Sequence, residues 1–150
     1  MPLKRNEILA KLSRDHHLAL LMAQVLKTNG PAYAGTTRDA ESRKKYVEEF
    51  FQDNLKKHFE TEEQIVFPMS EGLTDEIKIL QTQLKEEHEQ MRSAIVNLAT
   101  ANNLEEELNL LGILLDRHVR TEERQLFEMI QKSADQNWFD ELKNKLKEKY

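Results

Sequence analysis

Apolar residues recur at intervals of three and four along most of the chain, which is the spacing of one face of an α-helix. The pattern predicts four long helices, over about residues 3–27, 39–67, 75–100 and from 104 onward. A short fifth helix around Leu142 is expected to pack against the outside of the others. No segment shows the strict alternation of apolar and polar residues that is typical of a half-buried β-strand.

Clusters of turn-forming residues separate the predicted helices. A Thr-Asn-Gly-Pro cluster ends the first helix and opens the longest linker, at residues 28–37. The second helix is predicted to end before Pro68, and Thr74 or Asp75 can cap the third. Asn103 is the predicted cap of the fourth, with three glutamates on its first turn.

These elements predict an all-α fold, an up-down-up-down four-helix bundle with a short C-terminal helix. Four amphipathic helices of about 25 residues joined mostly by short loops bury their apolar faces in this way. The whole chain, residues 1–150, is predicted to be one domain with its core at about residues 3–132. A longer helical oligomer is the alternative.

Composition narrows the function classes. The chain contains no Cys, four Gly and three Pro, which excludes thiolate metal sites and argues against turn-rich all-β folds. The net charge is −5 without the basic stripe of a nucleic-acid-binding protein. No apolar run approaches the ~20 residues that span a bilayer, and no signal-peptide core is evident. We therefore expect a cytoplasmic protein that binds neither membranes nor nucleic acids.

Four of the five histidines lie within the apolar stripes, one in each long helix: His16, His58, His88 and His118. A single buried imidazole is usually a hydrogen-bonded core residue, because an unpaired buried polar group costs a few kcal/mol. Four such histidines, one in each of the four long helices, favour a single site to which all of them contribute. At ~1.5 Å per residue, three of them lie at similar depths in antiparallel neighbours, whereas the linker leaves the depth of His16 open.

Two of these histidines are followed one helical turn later by a glutamate, Glu62 after His58 and Glu122 after His118. Residues at this spacing project from the same helix face. The flanking sequences HFETEEQIVFPM and HVRTEERQLFEM agree at six positions and begin at residues 58 and 118. This agreement indicates a duplicated helical hairpin that keeps His and Glu in its core stripe.

The six residues predict a metal site with two ions. Imidazole and carboxylate ligands without sulfur suit iron, manganese or zinc. Four His and two Glu exceed the needs of one tetrahedral zinc ion. Shared between two ions, they supply two imidazoles to each and leave both carboxylates free to bridge, with positions open for a small ligand. Two iron ions are the simplest interpretation, and manganese or zinc are the alternatives.

This order of motifs over a four-helix bundle resembles the hemerythrin-like, or HHE cation-binding, family. The resemblance runs from about Arg14 to Met129, and RDHHLAL is similar to the first-helix motif of that family. It implies two iron ions, oxo-bridged when oxidised, with four terminal and two bridging ligands: His16, His58, His88 and His118, and Glu62 and Glu122. The family's pairing places His58 and His88 on one iron and His16 and His118 on the other.

The sequence departs from oxygen-carrying hemerythrins at two places. Arg92 stands where their third helix has the second His of H-x-x-x-H. Glu122 follows His118 by four residues, where their fourth helix has H-x-x-x-x-D. The missing fifth histidine argues against reversible oxygen carriage. The pattern looks more like that of bacterial iron-centre repair proteins and related sensors, which carry an additional cysteine-containing domain.

Several neighbours of the six residues need separate predictions. His17 is the alternative to His16, but it points about a right angle away from the apolar stripe, so His16 is preferred. Four acidic neighbours are predicted to be solvated: Asp15, Glu63, Glu87 and Glu123. For Asp15 and Glu87 the alternative is a hydrogen bond to an imidazole N–H group. Four aromatic residues are predicted to fill the core rather than to line a ligand channel: Phe51, Phe59, Phe67 and Phe127.

Three functions follow as hypotheses. The preferred one is a non-haem di-iron protein that binds, senses or reacts with O2, NO or peroxide, or handles iron. The second is a ferritin-like di-metal carboxylate oxidase, although no Glu-x-x-His pair falls in these stripes. The third is a helical interaction module without metal. Since no nucleophile or general base stands out, a metal-binding or sensing protein is favoured over an enzyme. The oligomeric state stays open.

Overall fold

The computed structural model describes residues 5–30 and 38–147, and every regular element in those ranges is helical. Three of the five helical stretches are α1 (Glu7–Leu26), α3 (Asp75–Asn97) and α5 (Gln136–Lys147). The expectation of an all-helical chain is confirmed for the described ranges.

The other two stretches contain π-helical turns. α2 consists of Ala40–Phe50, the π-helical turn Phe51–Leu55, Lys56–Thr61, the π-helical turn Glu62–Val66, and Phe67–Ser70. α4 consists of Leu104–Thr121, the π-helical turn Glu122–Leu126, and Phe127–Ser133. A π-helical turn inserts one extra residue into a helix and is frequent at functional sites.

α1 begins later than the sequence predicts. The side chain of Asn6 accepts a hydrogen bond from the Ile8 amide at 2.9 Å, so the helix begins at Glu7. Asn is a preferred N-cap because its side-chain oxygen satisfies an amide that has no partner within the helix. The predicted start at residue 3 lies outside the described residues.

Two arginines cap the other end of α1. The fully buried Arg43 donates a hydrogen bond to the Leu26 carbonyl at 2.9 Å, and Arg38 donates to carbonyls on either side of it. Positive charge stabilises the last carbonyls of a helix, where the helix dipole is negative. Of the linker predicted at residues 28–37, residues 31–37 lie outside the described residues.

α2 continues past Pro68, where the sequence predicts its end. Within the π-helical turn, the Phe67 amide donates to the carbonyl of Glu62, five residues earlier. Pro68 lies in the first turn of the α-helical segment that follows this π-helical turn, and the helix continues through it. The helix ends at Ser70 instead.

The starts of α3 and α4 follow the predicted caps. Thr74 accepts a hydrogen bond from the Ile77 amide at 3.1 Å, which decides between the two residues proposed for this cap. Asn103 accepts one from the Glu106 amide, also at 3.1 Å. Both helices carry acidic residues in the first turn, where the helix dipole is positive.

The apolar core consists of two clusters with polar residues between them. On α3, Leu84 belongs to the first cluster and Met91 to the second, and the buried His88 lies between the two. α1 passes in the same way from Leu12 of the first cluster to Ala19 of the second. A polar layer in the middle of the helices thus interrupts the core.

α5 packs against the long helices through its apolar face. Phe139, Leu142 and Leu146 are buried in the first cluster. The indole N–H of Trp138 donates to the carbonyl of Met69 at 3.0 Å and ties α5 to the end of α2. The apolar face of this helix is therefore buried on the end of the core nearest the start of α1.

α1 and α4 run in opposite directions. The Asn6 amide donates to the side chain of Gln131 at 2.8 Å, and the Thr28 amide donates to that of Asn109 at 2.9 Å. Opposite ends of the two helices therefore meet. Within the described residues, no helix combines the length and apolarity needed to cross a membrane.

Candidate metal centre

All six predicted site residues are buried, and they come together in the polar layer. α1 supplies His16, α2 supplies His58 and Glu62, α3 supplies His88, and α4 supplies His118 and Glu122. None is more than 4% exposed. The neighbouring His17, in contrast, is exposed.

The six residues form two groups that share both glutamates. One group contains His16 and His58, the other contains His88 and His118, and each also contains Glu62 and Glu122. Within each group, one potential ligand atom from every residue lies within 4.8 Å of the others. This spacing is compatible with one cation in each group.

Each imidazole turns its Nε2 atom toward the glutamates. The distances from Nε2 to the nearer glutamate oxygen are 3.0 Å for His16, 3.4 Å for His58, 3.2 Å for His88 and 2.6 Å for His118. Four imidazole nitrogens and the carboxylate oxygens therefore surround a common centre.

The grouping corrects the pairing that the resemblance implies. The Nε2 atoms of His16 and His58 are 3.0 Å apart. The ring centroids are 4.8 Å apart both in this pair and between His88 and His118. The predicted pairs of His58 with His88 and of His16 with His118 are therefore wrong. Consecutive long helices supply each observed pair, α1 with α2 and α3 with α4.

The Nδ1 atom of every imidazole points away from the centre and meets a second carboxylate. The contacts are His16 to Glu123 at 2.6 Å, His58 to Asp15 at 3.1 Å, His88 to Glu63 at 2.6 Å and His118 to Glu87 at 2.8 Å. An ionised carboxylate only accepts hydrogen bonds, so Nδ1 carries the proton and donates. In a neutral ring this leaves the Nε2 lone pair free for a cation.

These outer carboxylates contradict the prediction that all four acids are solvated. The Glu87 side chain is 6% exposed, and those of Glu63, Glu123 and Asp15 are 26%, 24% and 38% exposed. The sequence does contain a pattern that indicates these contacts, because in each long helix an acidic residue stands directly next to a proposed ligand. Neighbouring helix residues point about 100° apart, so an acid beside one ligand can reach across to an adjacent helix.

Arginines hold two of the outer carboxylates. The guanidinium of Arg92 donates to both oxygens of Glu63 at 3.0 Å. Arg5 donates to the carboxylate of Glu123 at 3.5 Å and to its backbone carbonyl at 2.9 Å. Two-point arginine–carboxylate contacts fix the orientation of the carboxylate as well as its charge.

Protons stabilise this cluster of charges when no metal is bound. Burial lowers the pKa of the imidazoles, but the surrounding carboxylates outweigh burial and raise it. The pKa is about 9 for His16, about 10 for His58 and about 11 for His88, and that of His118 is also raised. Burial raises the pKa of Glu122, but His118, Glu62 and His16 together outweigh burial and hold this pKa well below its usual range. A cation must therefore displace protons at neutral pH.

Comparison with known proteins agrees with this geometry. A family model described as the hemerythrin HHE cation-binding domain matches residues 7–130. The chain belongs to this family. The matched span contains all six residues of the centre, and it makes the protein a cation-binding helical protein. No curated protein and no solved structure matches the chain.

The donor set of this hemerythrin domain fits a metal. The buried centre contains atoms without a hydrogen-bond partner, namely both oxygens of Glu62 and Glu122 and Nε2 of His88 and His118. They lie close together, but their directions do not satisfy hydrogen-bond geometry with one another. Each such atom costs about 1–3 kcal/mol when buried without a partner. Cations between them would satisfy all six atoms.

Arg92 explains the most visible departure from oxygen-carrying hemerythrins. At this position, four residues after His88, the side chain binds Glu63 and Glu89 and lies over the ring of Phe59, 5.6 Å from its centroid. The arginine that stands in place of the fifth histidine of oxygen-carrying hemerythrins therefore contacts an outer carboxylate.

Aromatic rings surround the imidazoles of this hemerythrin domain. Phe59 stacks on His88 with centroids 4.0 Å apart, and Phe127 stacks on His16 at 5.3 Å. Phe59, Phe67 and Phe127 are buried, which confirms core filling for these three. The ring of Phe51, the fourth aromatic residue predicted to fill the core, is half-buried. The apolar faces limit the directions from which water can solvate the rings.

Proposed function

We propose that this hemerythrin domain is a non-haem di-iron protein. His16 and His58 would hold one ion, His88 and His118 the other, and Glu62 and Glu122 would bridge the two. The observation that carries the proposal is the pair of four-residue groups that share both glutamates. Two imidazoles on each side and two shared carboxylates divide evenly between two ions.

The proposed fold around this centre is an up-down-up-down bundle of α1 to α4. The antiparallel contacts of α1 with α4 support it, since Asn6 meets Gln131 and Thr28 meets Asn109. In this arrangement each long helix contributes one imidazole at mid-height. The centre is then enclosed on four sides by helices and at both ends by the two apolar clusters.

Iron is the proposed metal because the ligands are imidazoles and carboxylates without sulfur, a set that also accepts manganese or zinc. An iron pair supplies redox chemistry and open coordination positions to a small ligand. We propose O2 or NO as that ligand, bound, sensed or consumed. The residues of the chain would hold the metal-binding atoms in place, and the aromatic rings stacked on His16 and His88 place apolar faces beside the polar centre.

Anaerobic reconstitution with ferrous iron tests this function. We expect two iron atoms per chain after gel filtration, and near-ultraviolet absorption after exposure to air. His118→Ala should lower the iron content, whereas the matched His17→Ala should not, because His17 is exposed. One iron per chain after complete reconstitution contradicts the dinuclear proposal. Zinc bound in preference to iron contradicts the proposed metal.

A further inference from the structure

The outer hydrogen bonds form a closed ring around the centre. Asp15 of α1 accepts from His58 of α2, Glu63 of α2 from His88 of α3, Glu87 of α3 from His118 of α4, and Glu123 of α4 from His16 of α1. Each long helix thus holds the imidazole that the next helix supplies. The fourth bond returns to the first helix and closes the ring.

We propose that Asp15, Glu63, Glu87 and Glu123 are positioning residues that aim the four Nε2 atoms at the two cations. The inference rests on the proposed di-metal function. A carboxylate on Nδ1 fixes the orientation and tautomer of an imidazole and makes its other nitrogen a better ligand. Because each bond joins two helices, the ring also fixes the relative rotation of neighbouring helices about their axes.

Arginine or glutamine side chains hold three of the carboxylates of the ring from the outside: Glu63, Glu87 and Glu123. Arg92 contacts both oxygens of Glu63, and Arg5 contacts Glu123. The side-chain amide of Gln83 donates to Glu87 at 3.1 Å. A carboxylate held on both sides cannot rotate away from its imidazole without breaking a second contact. Solvated acids beside a ligand would have no such second contact.

The ring also explains the sequence of the duplicated hairpins. In α1 and α3 the outer carboxylate directly precedes the ligand histidine, as Asp15 precedes His16. In α2 and α4 it directly follows the proposed bridging glutamate, as Glu63 follows Glu62. Each helix therefore contains one adjacent pair, in which one side chain faces the centre and the other reaches the next imidazole.

A metal-independent measurement tests the ring first. Side-chain 1H–15N NMR of the metal-free protein should show a hydrogen-bonded Nδ1–H proton for each of the four buried histidines. Glu87→Ala should remove this signature from His118 and leave those of His16 and His58 in place. Glu86→Ala, a change at the exposed neighbouring acid, should leave all four unchanged.

Cobalt(II) titration then tests the consequence for metal binding. Glu87→Ala should lower the affinity for one of the two cobalt ions by about 10–100-fold and shift the visible absorption spectrum at saturating cobalt. Glu87→Gln keeps an acceptor oxygen and should recover most of the affinity. Glu86→Ala should match the wild type. If Glu87→Ala does not fold, Asp15→Ala makes the same test on His58 from a side chain that is 38% exposed.

The two measurements separate the ring from the proposed function. If the protein binds two cobalt ions but shows no hydrogen-bonded Nδ1–H protons, the ring is wrong and the proposed di-metal function is not affected. Wild-type affinities and spectrum in Glu87→Ala or Asp15→Ala also overturn the ring. Four hydrogen-bonded Nδ1–H protons in a wild-type chain that binds no metal overturn the proposed function, and with it the positioning role.

Discussion

At the scale of single residues, direction around the helix axis decides which side chains reach the centre. His16 and His17 are adjacent in sequence, yet the first is 2% exposed and the second is an exposed surface residue. The apolar stripe was enough to predict this difference, because a stripe marks the buried face of its own helix. It could not predict that Glu63 meets His88, since a single helix does not reveal where its neighbour lies.

The difference between these adjacent histidines gives the first prediction. His16→Ala should lower metal occupancy by about one ion per chain, because it removes an imidazole from one group of the centre. His17→Ala should leave occupancy unchanged. Metal analysis of both variants after identical reconstitution measures the effect. Equal occupancies would show that His16 is not a ligand.

At the scale of elements, two π-helical turns begin at the glutamates of the centre. They span Glu62–Val66 and Glu122–Leu126, at equivalent positions of the duplicated hairpins. The sequence predicted the helices but not these turns, because one extra residue changes the apolar spacing too little to be recognised. The end predicted before Pro68 was also wrong, because the helix continues from the preceding π-helical turn through the proline.

Close packing between α1 and α4 gives the second prediction. A Cβ atom on Gly112 would lie 2.9 Å from the Ala23 carbonyl oxygen and 3.0 Å from Cβ of Leu26. Gly112→Ala should destabilise the protein by about 1 kcal/mol, because overpacking of about 1–3 kcal/mol exceeds the gain in helix propensity. Gly72→Ala is the control, since a Cβ there meets nothing within 4 Å. Urea unfolding measures both, and a stabilised Gly112→Ala would contradict this packing.

The arginine cap of α1 gives the third prediction. Arg43→Met should lower the free energy of unfolding by about 1–3 kcal/mol, because the buried Leu26 carbonyl loses its donor. Lys45→Met, a change at an exposed neighbouring residue, should have little effect. Thermal unfolding of the metal-free forms compares them. A negligible loss in Arg43→Met would show that the end of α1 does not depend on this contact.

At the scale of the whole molecule, the polar layer makes stability depend on what occupies the centre. The all-helical fold and the six converging residues were predictable from periodicity and motif spacing. The pairing of the histidines was not, because it depends on which helices are neighbours in space. His16 lies beside His58 rather than beside His118, as the Nε2 distance of 3.0 Å between the first two shows.

The raised imidazole pKa values give the fourth prediction. The pKa values of His16 and His88 are about 9 and about 11 in the folded state, against about 6.5 in the unfolded chain. Protonation of these imidazoles therefore stabilises the folded metal-free protein, and this contribution is complete below about pH 6.5. That contribution is lost as the pH rises through the folded-state values. Metal binding strengthens over the same range because fewer protons compete. The melting temperature of the metal-loaded form should therefore exceed that of the metal-free form by more at about pH 8.5 than at about pH 6.

Calorimetry at both pH values, with bound metal confirmed in each sample, measures this difference. A ligand at ~100 times its Kd stabilises the folded state by about 2.7 kcal/mol, so the shift is large enough to resolve. A difference that stays constant or shrinks as the pH rises would show that metal and protons do not compete for these imidazoles.

The central claim, two cations that share both glutamates, is tested most directly by crystals of the iron-loaded protein. Anomalous scattering measured at the iron absorption edge should show two peaks per chain. One peak should lie against Nε2 of His16 and His58, the other against Nε2 of His88 and His118, and both should lie beside Glu62 and Glu122. A single peak, or a peak shared by His58 and His88, would contradict the claim.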